Sequence, residues 1–380
     1  MKHPTVYAKP DKATLEGMLG KSLLCTQDFS DAEIDALLAV ATTFEQLDGR
    51  GVRCDVLPAQ LAYAVFFDNS TRTKSAWAGA AARLGMHPVI VDGSSTQIAH
   101  GETAWETGAM LGMNAHALGV RHDTILGQGQ TMLRELKGGI DAFLRDTGDP
   151  RAVPVVNLQC DVDHPTQALA DLQWLRQRFD GSLRGKKIAI SWAYSPSYAK
   201  PLSVPQGEAM LLSRWGAEVV LAHPPGYDLL PETIAWARDN AERSGGRFAI
   251  THDMDEAFAG ADVVYPKSWG PMALMQERVA ASADKKALAD IEKRMLAQNA
   301  AHTDWICDER RMALTREGKA LYLHCLPADI GAEVSPGVME RARLDVACEA
   351  HKKVYVIMAA LAVAKVPKLW RALKDLHKRG

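Results

Sequence analysis

Ser70-Thr71-Arg72-Thr73-Lys74 places three hydroxyls, a guanidinium and an ammonium in unbroken succession. The apolar run Ala62–Phe67 before it has strand length, and the Ala-rich, proline-free run Ser75–Leu84 after it suits a helix. A strand that turns through Ser and Thr into a helix offers backbone N–H groups and a positive dipole end. Such a turn binds phosphate or carboxylate, and Arg72 can add paired hydrogen bonds to an oxyanion. The same residues also make an ordinary helix cap, and local sequence does not separate the two readings. Three more polar clusters follow strand-like runs: Arg121 after Ala117–Val120, His164-Pro165-Thr166-Gln167 after Val153–Leu158, and His324-Cys325-Leu326-Pro327 after Ala320–Leu323. In open parallel sheets ligands sit beyond the carboxyl ends of the strands, so all four clusters are expected to face one cleft.

Each cluster has a plainer alternative. His164 suits a helix mouth, with Pro165 as a good first helical residue, and reads as a cap or core histidine as readily as a site residue. Cys325 beside His324 invites a thiolate–imidazole pair, but neighbours on an extended segment point to opposite faces. A buried structural cysteine is the other reading.

The elements that must position these groups alternate. Ser30 and Glu33 form a capping-box pattern before a helix carrying Ile34, Leu37, Leu38 and Ala41 on one face. Strands are expected at Pro88–Val91, Ala117–Arg121 and Val153–Leu158, with helices at Glu102–Asn114 and from Gln167 to about Arg178. In the second half strands are expected at Lys187–Trp192, Glu218–Ala222, Asp262–Tyr265 and Ala320–His324, and helices at Glu208–Trp215, Ile234–Ser244 and within residues 272–319. A terminal helix is expected from Val354 to about His377. Ser191–Gly207, with Pro196, Pro201 and Pro205, reads as a long stiff loop without helix. The alternation implies α/β architecture with two parallel-sheet domains. The expected division is residues 1–160, with the C-terminal helix of about 350–380 packing back on it, and residues 161–349.

Composition excludes several classes. The 380 residues are 47% hydrophobic, enough for a sizeable core, and the net charge is −2. No dense basic run with interleaved aromatics suggests nucleic acid. Met1–Asp11 lacks the apolar core of a signal peptide, and the run Val354–Ala364 is too short to span a bilayer. The six cysteines show no CxxC spacing, which argues against zinc and a disulfide framework and fits a reducing cytoplasm. No GxGxxG or GKS/T turn follows a candidate strand, which sets aside a nucleotide-dependent enzyme.

With Gln97, His100-Gly101-Glu102-Thr103 and the four clusters in order, the chain resembles the aspartate/ornithine transcarbamylase family from about residue 20 to 365. Asn157–Gln167, Ser191–Gly207 and Tyr265-Pro266-Lys267-Ser268-Trp269 are most similar to its knotted, YgeW-type members. The resemblance implies a trefoil knot in the second domain and transfer of a carbamoyl group between carbamoyl phosphate and an amine, in either direction, without metal or organic cofactor. It implies that Ser70, Thr71, Arg72 and Thr73 hold the phosphate, that Lys353 also binds carbamoyl phosphate, and that Gln97 contacts carbamoyl phosphate in a neighbouring subunit's site in a homotrimer. Arg121 would reach phosphate and carbonyl oxygens, His164 the carbonyl oxygen, and Gln167 and the Leu326 carbonyl the carbamoyl NH2. Cys325 would help position the amine without covalent chemistry, and the Leu326–Pro327 bond is a cis candidate. Lys353 stands where the family usually has arginine. Lys267-Ser268-Trp269-Gly270 replaces the acidic residue and Ser-Met-Gly turn of ornithine and putrescine enzymes, so Lys267 and Trp269 are expected to contact an acceptor bearing a carboxylate; a solvated surface lysine is the alternative. The segment Ser94–Ile98 departs from the tryptophan-containing loop of N-acetylornithine enzymes. The rival function is a catalytically silent, anion-binding paralogue with a regulatory role.

Overall fold

The computed structural model describes residues 10–379, which excludes most of the stretch Met1–Asp11. The chain forms two compact units. The first comprises residues up to Asp123, Gln128–Gln173 and His351 onward; the second comprises Thr124–Gly127 and Trp174–Ala350. Helix Pro165–Arg178 runs from the first unit into the second, and helix Pro336–Lys365 runs from the second into the first.

The first unit is built on four parallel strands, β1 (Leu61–Phe66), β2 (His87–Asp92), β3 (Ala117–His122) and β4 (Val155–Cys160), in the order β2-β1-β3-β4. β4 is buried throughout, as a strand covered on both faces must be, whereas the edge strand β2 is mostly exposed. The proline of β2, Pro88, stands at this edge, where a missing N–H costs least. The second unit has five parallel strands, β5 (Lys187–Trp192), β6 (Glu218–Ala222), β7 (Arg247–Thr251), β8 (Val263–Lys267) and β9 (Leu321–Tyr322), in the order β7-β6-β5-β8-β9. Two parallel-sheet α/β units are therefore present, as the alternating pattern predicts.

Helix Asp31–Asp48 begins with the expected capping box: Ser30 Oγ accepts from the Glu33 amide and Glu33 accepts from the Ser30 amide. Three expectations need correction. The segment after β5 is irregular only up to Leu202, because helix Ser203–Leu212 begins there; Pro205 sits in its first turn, where no intrahelical donor is lost. The last helix begins at Pro336, far before Val354, and ends at Lys365. Helix Leu369–His377 follows only after Lys368 takes a left-handed conformation behind Pro367, which cannot continue a helix. The anion-turn helix starts earlier than Ser75, at Arg72.

Helices Ala104–Asn114 and Gln128–Thr147 meet almost backbone to backbone. A Cβ on Gly108 would lie 2.2 Å from the Leu136 carbonyl oxygen, and one on Gly139 would lie 1.9 Å from that of Trp105. At Gly138 the same atom would rest 3.7 Å from the Trp105 ring, an ordinary contact. Gly139→Ala is therefore expected to destabilise the protein by about 1–3 kcal/mol through overpacking. Gly138→Ala should stabilise it by up to about 1 kcal/mol through helix propensity. Urea unfolding of the two variants distinguishes them, and equal midpoints would refute the close contact.

Candidate active site

Strand order directs attention to two places. In the first sheet the chain adds β2 on one side of β1 and β3 on the other, so β1 and β3 flank the switch point where α/β sheets bind ligands. Phe66 pairs with Arg121 at the carboxyl ends of these strands, and the Phe67 amide donates to the Arg121 carbonyl at 2.9 Å. The Ser70–Thr73 turn and Arg121 thus leave adjacent strands on the same edge.

Within the turn, the Thr73 amide donates to Ser70 Oγ at 3.2 Å. Ser70 therefore caps the helix, and its hydroxyl hydrogen can still be donated elsewhere. Capping and anion binding are compatible here.

Arg121 is mostly buried, with 14% of its side chain exposed. Its Nη2 lies 2.7 Å from Asp123 Oδ2, in an alignment too poor for a hydrogen bond, and its buried Nε–H has no partner among the described residues. An unpaired buried donor is costly, and an arriving oxyanion would satisfy it. Asp123 has 2% exposure, and its amide donates to Asp68 Oδ2 at 2.7 Å. Burial raises its carboxyl to about 7, against the lowering pull of Arg121. A carboxyl that titrates higher in the folded than in the unfolded chain binds more protons when folded, so its stabilising contribution is lost as pH rises from about 4 to 7. Asp123→Asn removes that dependence. Its stability relative to the parent should climb across that window in urea melts at graded pH; a flat difference would contradict the assignment.

His164 follows β4 through a buried turn. Asp163 accepts from the Thr26 amide at 2.7 Å and the Thr26 hydroxyl at 2.9 Å, and the Cys160 amide donates to the Asp163 carbonyl at 3.0 Å. Burial pushes the Asp163 carboxyl up to about 6 despite these bonds. The imidazole has 3% exposure, with Nδ1 3.4 Å from the Thr166 hydroxyl and Nε2 3.4 Å from Lys353 Nζ. Burial, then Lys353, Arg121 and Arg72, hold its pKa well below the ordinary histidine value. The three cations named are the expected site residues, so the first unit brings Arg72, Arg121, His164 and Lys353 into one electrostatic neighbourhood. The Gln167 amide nitrogen donates to Asp171 at 2.8 Å, which fixes the side-chain amide on its helix. Gln97 is exposed on a short 3-10 turn.

The second unit holds the remaining candidates. Its strand order also reverses, between β5 and β8, and Lys267 closes β8. Lys267 is 5% exposed and donates from Nζ to the Ser268 carbonyl at 2.7 Å, so it is not a solvated surface lysine. Burial, assisted by Lys200, lowers its pKa to about 8. Trp269 is corrected to a core residue: it is fully buried, and its indole N–H is spent on the Tyr227 carbonyl at 2.8 Å. Cys325 is partly exposed, unlike Cys25, Cys54, Cys160 and Cys307, so a buried structural role is excluded. His324 Nδ1 accepts from the Leu326 amide at 2.8 Å, which points its remaining N–H toward Glu333 and not toward Cys325. The Leu326–Pro327 bond is cis.

Sequence reasoning passed over Asp123, Lys200 and Glu333, all buried and all charged. Their letters are those of surface residues, and only the fold shows them to be interior. A cavity of about 310 Å³ in the second unit, lined by Arg178, Asp262, Tyr322, Arg341 and Asp345, contains none of the candidate residues. It opens at the start of β9, the end opposite Lys267. Among the described residues no three His, Cys, Asp or Glu side chains are grouped to hold a metal ion, and no helix is long and apolar enough to cross a membrane.

Comparison with known proteins matches the chain in two segments. Residues 21–177 match the carbamoyl-P binding domain of aspartate/ornithine carbamoyltransferase, and residues 203–364 match its Asp/Orn binding domain. The chain is 45% identical over 370 residues to YgeW of Escherichia coli (strain K12), named as a carbamoyltransferase, covering 95% of this chain and 93% of that one. It is 32% identical over 361 residues to the N-acetylornithine carbamoyltransferase of Xanthomonas axonopodis pv. citri (strain 306), covering 90% and 96%. Among solved structures it is similar to a variant N-acetyl-L-ornithine transcarbamylase complexed with carbamyl phosphate and N-succinyl-L-norvaline, with a TM-score of 0.73 and 30% identity over 90% of this chain and 99% of that one.

Proposed function

We propose that this chain, which belongs to the aspartate/ornithine carbamoyltransferase family and is a carbamoyltransferase, serves an amine acceptor that bears a carboxylate. The observation that carries the acceptor class is Lys267, an ammonium held inside the second unit at the carboxyl end of β8. A buried cation there matches a carboxylate and repels a diamine that lacks one.

In the forward direction the neutral amine attacks the carbonyl carbon of carbamoyl phosphate. A C–N bond forms, the bond from carbon to the bridging phosphate oxygen breaks, and the departing phosphate takes the amine proton. Ser70, Thr71, Arg72, Thr73 and Lys353 hold the phosphate, and Arg121 bridges it to the carbonyl oxygen. His164 remains neutral near pH 7 because burial and the surrounding cations disfavour a further charge. In the tautomer whose Nδ1 accepts from Thr166, Nε2 carries the proton; Lys353 then turns from that nitrogen to the phosphate, and His164 donates to the carbonyl oxygen as negative charge develops. Gln167 accepts from the carbamoyl NH2, as does the Leu326 carbonyl, and Cys325 lies beside the amine without forming a bond to it. In reverse, the same groups would phosphorolyse a ureido acid.

Family resemblance supports a cytoplasmic homotrimer in which Gln97 serves a neighbouring subunit's site, and a knot in the second unit. A panel of amino acids and ureido acids, assayed with carbamoyl phosphate or phosphate, tests the reading. Turnover only of diamines would refute the acceptor class, and phosphate binding without any turnover would point to the silent paralogue. Because Lys267 titrates near 8, acceptor affinity should fall as pH rises through about 8. A pH-independent acceptor KM would count against its contact with the carboxylate.

A further inference from the structure

The geometry points to Lys200 as a positioning residue that keeps the charge of Lys267 available for the acceptor; this rests on the reading of Lys267 given above. Lys200 is 1% exposed, in the irregular segment after β5. Its Nζ lies 2.8 Å from Asp329 Oδ2 and 2.7 Å from Glu333 Oε2. Glu333 is fully buried; its Oε1 accepts from the Ser268 amide at 2.7 Å and its Oε2 from the Asp329 amide at 2.8 Å. One carboxylate thus ties the turn after β8 to the segment after β9.

Backbone bonds reinforce the contact. The Gly270 amide donates to the Lys200 carbonyl at 3.0 Å, and the Ala193 amide to the Lys267 carbonyl at 3.1 Å. Asp329 Oδ2 also accepts from the Ser195 and Ser197 hydroxyls. Glu333 titrates well below the usual carboxylate range: burial pushes it up, but His324, Lys267 and Lys200 outweigh that.

Two cations and two anions therefore share this interior. Lys200 takes both carboxylates, whereas the hydrogen bond of the Lys267 ammonium goes to a backbone carbonyl. An ammonium has three donors, so Lys267 keeps capacity for a ligand oxygen. Without Lys200, two buried or half-buried carboxylates, both already coupled electrostatically to Lys267, would draw it into an internal ion pair, with the His324 imidazole 3.5 Å from Glu333 as the other neighbour. The acceptor carboxylate would then meet a neutralised partner.

This predicts opposite effects for two variants that break the same ion pair. Binding of succinate, a minimal carboxylate probe, is followed by calorimetry with carbamoyl phosphate present; inorganic phosphate binding alone is the control. Lys200→Met should weaken succinate binding at least tenfold and move the loss of binding above pH 8 to higher pH, with phosphate affinity within twofold. Glu333→Gln removes the competing anion and should leave succinate affinity equal or stronger. A purely structural role predicts weakening in both variants, and that result overturns the proposal. If Lys200→Met does not fold, Glu333→Gln decides alone, with weaker binding as the contrary result. Wild-type protein that binds no succinate loses the acceptor reading and this proposal with it, whereas wild-type binding with the same loss in both variants overturns this proposal alone.

Discussion

Arg121→Ala is expected to lower kcat by about 10²–10³-fold, the usual cost of deleting a preorganised oxyanion donor. The reason lies in how Arg121 is held. It stands next to last in β3, whose neighbour β1 leads into the Ser70–Thr73 turn, its Nε–H is buried without a partner among the described residues, and its contact with Asp123 is an ion pair of poor alignment. An oxyanion offers Arg121 better geometry than the protein does. Arg121→Lys keeps the charge but loses the planar fork, so it should recover only part of the rate. The alanine variant also strips Asp123 of its arginine, and that carboxyl should titrate above 7 because the chief opposition to burial is gone. Steady-state kinetics with phosphate-binding calorimetry checks the first effect; unchanged kcat and phosphate affinity together would remove Arg121 from the mechanism.

His164→Ala should lower kcat by about 10²-fold or more, the scale of a positioned proton donor. The companion prediction concerns pH. Since burial and Lys353 hold the imidazole neutral, kcat should show no loss as pH falls through 6.5, where a solvated histidine would charge. Lys353→Met removes the nearest cation, so the histidine pKa rises and an acidic limb should appear in the rate profile. The linkage to stability has a definite sign. A folded histidine of lowered pKa binds fewer protons than the unfolded one, so its contribution to stability is lost as pH falls below 6.5. Proton NMR of the imidazole in both proteins reads the shift directly. A His164 resonance that titrates near 6.5 in the parent would remove the basis for the assignment.

Where the candidate residues stand in the fold could largely be read from sequence because they follow strands. The end of a buried strand is marked by the change from apolar to polar letters, and Arg121, His164 and Lys267 all stand at or just beyond one. The sequence was less informative where signals were weak or local rules were overridden. Strand β7, Arg247–Thr251, is short, half-exposed and has only three apolar residues between its polar ends. Helix Gln128–Thr147 was passed over although Leu133, Leu136, Ile140 and Leu144 recur on its buried face. Trp269 read as a ligand contact because aromatic letters near a site look alike whether they face a substrate or the core. Lys200, Asp123 and Glu333 could not have been found. A buried ion network depends on which segments fold together, and charged letters in loops carry no sign of burial.

The meeting of helices Ala104–Asn114 and Gln128–Thr147 has a consequence for how this protein can diverge. Most interior contacts are negotiable, since one side chain can shrink when its neighbour grows. Between Gly108 and the Leu136 carbonyl, or Gly139 and the Trp105 carbonyl, neither side has anything left to give up. A larger residue on one helix cannot be matched by a smaller one on the other, because the obstacle is main chain. Sequence drift elsewhere in the first unit can therefore be compensated pair by pair, but here any enlargement needs one helix to slide as a body. Helix Ala104–Asn114 begins only a few residues after Gln97, so such a slide would carry the segment bearing Gln97 with it.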